Sequence, residues 1–190
     1  NGSIIFNQDG TFTFTPNLNW NGTTTFDYRV CDPAGLCSVA SVTITINPTN
    51  DPPIAQDDLF TGPEDVPLNG TVFNNDSDID GDVLNYDNVT EPANGTLIFN
   101  TDGTFIFTPN KDWNGTTTFE YVVCDPSGLC DRAIVTIRIT PTNDPPVAED
   151  DSFFVLKNSP FTGTVINNDS DIDGDVLSFS RVTGPSNGVL

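Results

Sequence analysis

The chain repeats itself at a fixed distance. "NGSIIFNQDGTFTFTPN" from Asn1 matches "NGTLIFNTDGTFIFTPN" from Asn94, an offset of 93 residues. The same offset relates "CDPAGLC" at Cys31 to "CDPSGLC" at Cys124 and "NPTNDPPIAQDD" at Asn47 to "TPTNDPPVAEDD" at Thr140. It also relates "NNDSDIDGDVL" at Asn74 to an identical stretch at Asn167. Self-similarity at a long fixed period marks tandem structural units. The "PTNDPP" stretches at 48–53 and 141–146 carry prolines that a central strand does not accept, so they read as short stiff linkers. On that reading residues 1–50 are the C-terminal half of one unit (strands D to G), 51–143 a complete unit, and 144–190 the N-terminal half of the next (strands A to C). With no initial Met and a cut inside a repeated motif, the expectation is an internal piece of a longer secreted polypeptide.

Within the complete unit the apolar residues alternate. Phe105 and Phe107, then Phe119, Tyr121 and Val123, then Ala133, Val135, Ile137 and Ile139 recur at period two against Thr-rich positions. That is the pattern of half-buried antiparallel strands, and no stretch carries a helical period. Turn signals are explicit at "EPANG" (Glu91), "TDG" (Thr101) and "WNG" (Trp113). The runs predict seven strands: one near Asp58, then 70–74, 83–89, 96–100, 104–108, 116–124 and 131–140. Seven short strands in a unit of about 90 residues indicate an all-β chain of tandem seven-strand β-sandwiches joined by short Pro-rich linkers.

Charge narrows the function. Twenty-seven acidic residues against six basic give a formal charge of -21, which opposes nucleic acid and anionic membranes alike. No apolar run approaches the roughly 18 residues needed to span a bilayer, so no direct membrane insertion is expected. Histidine is absent, and there is no Ser/His pair, HExxH or phosphate loop. A non-enzymatic role is expected; the enzymatic alternative is a glycosidase working with carboxylates alone.

The most conserved-looking stretch between the two copies is "DSDIDGD", whose D-x-D-x-D-G spacing is that of an oxygen-lined calcium loop. An EF-hand needs an acid at the twelfth position and flanking helices. Counting from Asp76 gives Asp87, but from Asp169 gives Ser180, and the flanks read as strands. Topology offers another route. In a seven-strand sandwich the N-terminal linker and the B–C, D–E and F–G loops lie at one end. Asp76, Asp78, Asp80 and Asp82 are therefore expected to meet Asp51, Asp57 and Asp58 of the linker and strand A, with Asp125 of the F–G loop. At the second junction Asp169, Asp171, Asp173 and Asp175 meet Asp144, Glu149, Asp150 and Asp151. The preceding unit contributes its opposite end, including Asn110, Asp112 and Asn114. An isolated "DG" is only a turn former, but four alternating Asp beside an acidic linker at both junctions point to a bound cation, calcium.

Two other features have local readings. If Phe119, Tyr121 and Val123 point inward, Cys124 points outward, as does Cys130 beside inward Ala133. Cys124–Cys130 and Cys31–Cys37 are then expected as hairpin disulfides. Trp20 and Trp113 fit core plugs at the E–F corner better than exposed sugar platforms, and the "NGT" triplets at Asn94 and Asn114 fit turns better than glycosylation acceptors.

The order "NDPPVAEDDSF", "TGTVINNDSDIDGDVL", "NGTLIFNTDGTFIFTPN", "WNGTTTFEYVVCDPSG", "VTIRI" resembles the bacterial cadherin-like, immunoglobulin-like tandem repeats of giant surface adhesins. The resemblance spans the chain and implies an extracellular, calcium-binding stalk or adhesive array at the cell surface. It departs where such repeats carry "SDG" and this chain has the Cys-bracketed "CDPSGLC". The expected partners are neighbouring copies or repeats end to end, and surface glycans or another cell-surface protein. The alternative function is a carbohydrate-binding or spacer module of a secreted multidomain enzyme.

Overall fold

The computed structural model describes residues 1–186. Their strands are, in chain order, β1 (Gly2–Phe6), β2 (Phe12–Pro16), β3 (Gly22–Cys31), β4 (Cys37–Ile46), β5 (Asp58–Pro63), β6 (Leu68–Thr71), β7 (Asn85–Asn88), β8 (Gly95–Phe99), β9 (Thr104–Pro109), β10 (Gly115–Cys124) and β11 (Cys130–Thr140). No helix occurs among the described residues, so the chain is all-β.

β5 to β11 build one sandwich. One sheet has the order β5-β11-β10-β7 and the other β6-β9-β8. Pairing is antiparallel except for β5, which lies parallel to β11 from Val135↔Asp58 to Thr140↔Pro63. The alternation read from the sequence is the alternation of burial. Phe105, Phe107, Phe119, Tyr121, Val123, Val135 and Ile137 are sealed between the sheets, while the intervening Ile106, Thr108 and Thr118 face outward. The core is aromatic. Phe60 meets Phe105 edge-on at 5.0 Å, and Phe105 meets Phe119 in the same way at 5.3 Å, the offset geometry that ring quadrupoles favour. Trp113 packs against this core, as a plug rather than a platform.

The second and third strands of the sandwich are shorter than expected. They occupy Leu68–Thr71 and Asn85–Asn88 rather than 70–74 and 83–89. Between them the backbone leaves the ladder because its polar groups are committed to the linker, Ser77 to Ile54 and the Asn75 carbonyl to Gln56 Nε2.

Outside the sandwich the chain forms hairpins or nothing regular. β1 pairs with β2 and β3 with β4, in the same registers as β8 with β9 and β10 with β11. The strands expected in residues 144–190 do not form among residues 144–186, which hold only the bridge Val147↔Ser170. The reason is partnership. In the sandwich β5, β6 and β7 pair with β11, β9 and β10, never with one another, and among the described residues no such partners follow residue 144.

Each F–G-type hairpin is closed by a disulfide, Cys31–Cys37 and Cys124–Cys130, between directly opposed residues whose Cα atoms are 4.1 Å apart. The outward direction expected for these sulfurs holds, since Val123 is sealed in the core and Cys130 is exposed.

Candidate cation sites at the unit junctions

The acidic stretch is a loop stitched to the linker by its own carboxylates. Ile54 and Ser77 exchange backbone hydrogen bonds of 2.7 and 3.1 Å, which lays the linker along the loop. The Gln56 amide then donates to Asp76 Oδ1 (2.8 Å), the Asp80 amide to Asp78 Oδ1 (2.8 Å), and the Asp51 amide to Asp80 Oδ2 (2.7 Å). Gly81 takes the left-handed turn at φ 79, which accounts for the D-G pair. Alternate Asp residues thus lend oxygens to the scaffold.

The remaining oxygens converge. Asp78, Asp82 and Asp125 each offer a carboxylate oxygen within 4.8 Å of the others. Asp125 is itself buried and fixed by the Leu129 amide (3.0 Å) and by Asn50 Nδ2 across the junction (2.6 Å). Nearby, Asp58 Oδ2, Asn75 Oδ1 and Asp78 Oδ2 are buried with no hydrogen-bond partner. All three of these are acceptors. A buried acceptor without a donor costs about 1–3 kcal/mol, and carboxylates this close repel by about 3 kcal/mol per pair at a protein-surface dielectric. A cation would relieve both.

Protonation records the same stress. Burial, then the Asp76 charge, push the Asp58 carboxyl up to about 6, and Asp76 is raised mainly by burial. Asp82 is raised by desolvation and by Asp78, Asp125 and Asp80. Desolvation opposes ionisation of Asp125 too, but hydrogen bonds led by Asn50 outweigh it and lower its pKa. Tyr121, buried under the loop, donates its hydroxyl to Asp76 Oδ1 at 2.9 Å and to the Gln56 carbonyl at 3.0 Å, tying the loop to the core.

The second junction repeats the stitching. The Glu149 amide donates to Asp169 Oδ1 (2.8 Å), the Asp173 amide to Asp171 Oδ1 (2.9 Å), and the Asp144 amide to Asp173 Oδ2 (2.7 Å). Here Asp144 joins Asp65 and Asp112 of the preceding unit, with carboxylate oxygens within 4.8 Å of one another. Asp144 Oδ2 and Asn168 Oδ1 are orphaned buried acceptors. Desolvation first, then Asp112 and Asp65, raise Asp144. Lys111 Nζ reaches Asp112 at 2.8 Å. Glu64, 3% exposed, accepts from the Thr142 amide (2.6 Å) and Asn114 Nδ2 (3.2 Å), so it clamps the outgoing linker.

Not every expected residue joins a cluster. Asp57 Oδ1 accepts from the Ile134 amide (2.8 Å) and fastens the start of β5 to β11. Glu149, Asp150, Asp151 and Asp175 are exposed, and the first two accept from Asn168 Nδ2 through their main-chain carbonyls at 3.3 Å. Glu64, Asp65 and Asp131, the last accepting from the Ala55 amide at 3.0 Å, were not expected. A clue was present for two of them, because "PED" between strands A and B falls at the same end as the E–F loop.

A family model described as a bacterial Ig domain matches residues 1–45, 50–138 and 143–190. No curated protein sequence matches the chain. Among solved structures, extracellular cadherin domains 1–4 of protocadherin gamma B7 align with TM-score 0.52 at 18% identity, over 83% of this chain and 44% of that one. The human desmocollin-1 ectodomain aligns with TM-score 0.47 at 14% identity, over 84% of this chain and 35% of that one. An endo-fucoidan hydrolase of glycoside hydrolase family 107 gives TM-score 0.40 at 20% identity, over 77% of this chain and 24% of that one. The chain thus spans less than half the length of each of these structures.

Proposed function

We propose that this chain, which belongs to the bacterial Ig domain family, is a segment of an extracellular surface array in which calcium braces successive units, serving as a stalk or adhesive filament. The observation that carries the reading is the set of orphaned buried acceptors at both junctions, Asp58 Oδ2, Asn75 Oδ1 and Asp78 Oδ2 at one and Asp144 Oδ2 and Asn168 Oδ1 at the other. Asn75 and Asn168 are counterparts at the repeat offset. A cation that takes several carboxylate and carbonyl oxygens without strict geometry suits such a loop, which favours calcium over magnesium. Asp78, Asp82 and Asp125 would hold it at the first junction, and Asp65, Asp112 and Asp144 at the second. Two hairpin disulfides support an oxidising, extracellular setting.

Calcium would join carboxylates that otherwise repel, so its removal should loosen the junctions before it unfolds the sandwich. Calorimetry should detect binding with a dissociation constant between about a micromolar and a millimolar. Small-angle scattering should show a longer, stiffer particle with calcium than with chelator. Changing Asp76, Asp78 and Asp80 together to Ala should abolish binding at the first junction. Intact binding in that variant, or identical scattering in both conditions, would overturn the reading. So would saturable polysaccharide binding indifferent to calcium, which belongs to a carbohydrate-binding module.

A further inference from the structure

The Cys124–Cys130 bridge closes the hairpin end that carries Asp125. Cys124 and Cys130 are the last paired residues of β10 and β11, so residues 125–129 form the turn beyond them. In that turn the Asp125 amide donates to the Leu129 carbonyl (3.0 Å), the Gly128 amide to the Asp125 carbonyl (3.1 Å) and the Leu129 amide to Asp125 Oδ1 (3.0 Å). Gly128 supplies the left-handed residue at φ 88. Asp125 thus commits Oδ1 to its own turn and leaves Oδ2 for the linker, where Asn50 Nδ2 donates to it at 2.6 Å. Its carboxylate is also the one on which Asp78 and Asp82 converge.

The same turn is built a second time in different surroundings. Behind the Cys31–Cys37 bridge the Asp32, Gly35 and Leu36 amides repeat the three bonds at 2.9, 3.1 and 2.9 Å, with Gly35 at φ 87. Asp32 is exposed and belongs to neither carboxylate cluster, whereas Asp125 is 5% exposed. A geometry reached alike in solvent and against a junction is set by the bridged turn itself and not by what packs on it.

That matters where Asp125 faces two like charges. With no ion between them Asp78 and Asp82 repel it, and an unbridged turn would be free to swing its carboxylate into water. A closed loop has fewer conformations to escape into, so the bridge holds the carboxylate in place before any ion arrives. A ligand fixed beforehand lowers the ordering cost of binding.

We propose that the Cys124–Cys130 bridge is a positioning device for the first junction, holding Asp125 toward Asp78 and Asp82 and onto Asn50, and so setting both the calcium affinity there and the grip on the linker. This rests on the reading that the cluster takes a cation.

Calcium titration of the whole chain, followed by backbone amide resonances, tests it, because Asp80 and Gly81 report on the first junction and Lys111 and Asp112 on the second. In the double variant Cys124→Ser, Cys130→Ser the first-junction midpoint should rise about 10–100-fold, the range usual when a group that orients a metal ligand is lost, while the second-junction midpoint stays. The double variant Cys31→Ser, Cys37→Ser should move neither. Without calcium, loss of the Cys124–Cys130 bridge should strip exchange protection from the Leu129 amide and shift the Asn50 side-chain amide toward its unbonded position. The amides of β10 and β11, which β5 and β7 also hold, should keep their protection, so the loss is read in a folded unit. First-junction resonances of the unaltered chain that ignore calcium would overturn the cation reading and this proposal with it. A normal response in the unaltered chain, matched by the Cys124→Ser, Cys130→Ser variant at the same calcium concentration, would overturn the proposal alone. So would equal weakening at both junctions or loss of protection throughout β10 and β11, since either makes the bridge a general stabiliser.

Discussion

Residues 51–93 and 144–186 share the acidic loop letter for letter, yet one stretch forms three strands and a bridge, the other a bridge alone. Residues 1–46, by contrast, form the same hairpins as their counterparts in the complete unit. The difference lies in where each strand finds its hydrogen bonds. β8–β9 and β10–β11 are hairpins whose partners arrive within a few residues, so closing them costs little chain entropy. β5 waits for β11, β6 for β9 and β7 for β10, partners dozens of residues downstream. Period-two patterning is present in both stretches, but among the described residues a strand forms where its pairing partner is present. The acidic loops form in both places because their hydrogen bonds are to the adjacent linker.

The widest test of that contrast is a pair of truncations in the core. Phe105→Ala should cost the complete unit about 3–5 kcal/mol, read from its urea midpoint, because the ring is sealed on all sides. Phe12→Ala should leave that midpoint unchanged in dilute solution. Equal losses at the two positions would show that the first unit is already packed.

Reduction of the disulfides sharpens it. Each bridge spans six residues, so the loop-entropy estimate is about 2 kcal/mol for either. β10 and β11 sit inside a four-stranded sheet covered by a three-stranded one, whereas β3 and β4 form a two-stranded sheet met by the β1–β2 hairpin, through Phe6 and Phe12 on Phe26. After reduction the amides of β3 and β4 should lose hydrogen-exchange protection while those of β10 and β11 keep it. Retention at both hairpins would mean that the thiols matter to neither.

The smallest expected effect is on pH. Asp58 has a folded value of about 6 against 3.8 for an ordinary Asp, raised first by burial and then by Asp76. Its protonated form is therefore favoured by folding, and without calcium the contribution is fullest below about pH 4 and fades as pH rises through about 6. The urea midpoint of the calcium-free complete unit should drop modestly over that window, and Asp58→Asn should flatten the slope. With calcium the sign reverses, because the ion binds deprotonated carboxylates. A calcium-free midpoint that rises with pH would contradict the assignment to Asp58.

Much of this was legible in the residues. The repeat, the period-two strands and both disulfide pairs follow from spacing alone, since Tyr121 and Val123 inward force Cys124 outward. The lengths of β6 and β7 were not, because a Val and Leu at 83–84 read as strand whatever the backbone is doing. There the carboxylates of Asp76 and Asp80 hold the linker and withdraw the loop from the ladder. Glu64 was missed for another reason. The "PED" stretch marks the end of the unit on which it lies, but only the fold reveals that Glu64 is buried and clamps the Thr142 amide.

The parallel pairing of β5 with β11 has a mechanical meaning. The chain enters the unit at Asp58 and leaves at Thr140, at opposite ends of six paired positions. A tug along the array therefore slides these two strands past each other and loads the whole ladder at once. In a hairpin pulled from its open end the hydrogen bonds yield one after another. A unit pulled along its length would gain from the first arrangement, since its survival under load depends on how slowly it opens and not on its equilibrium stability.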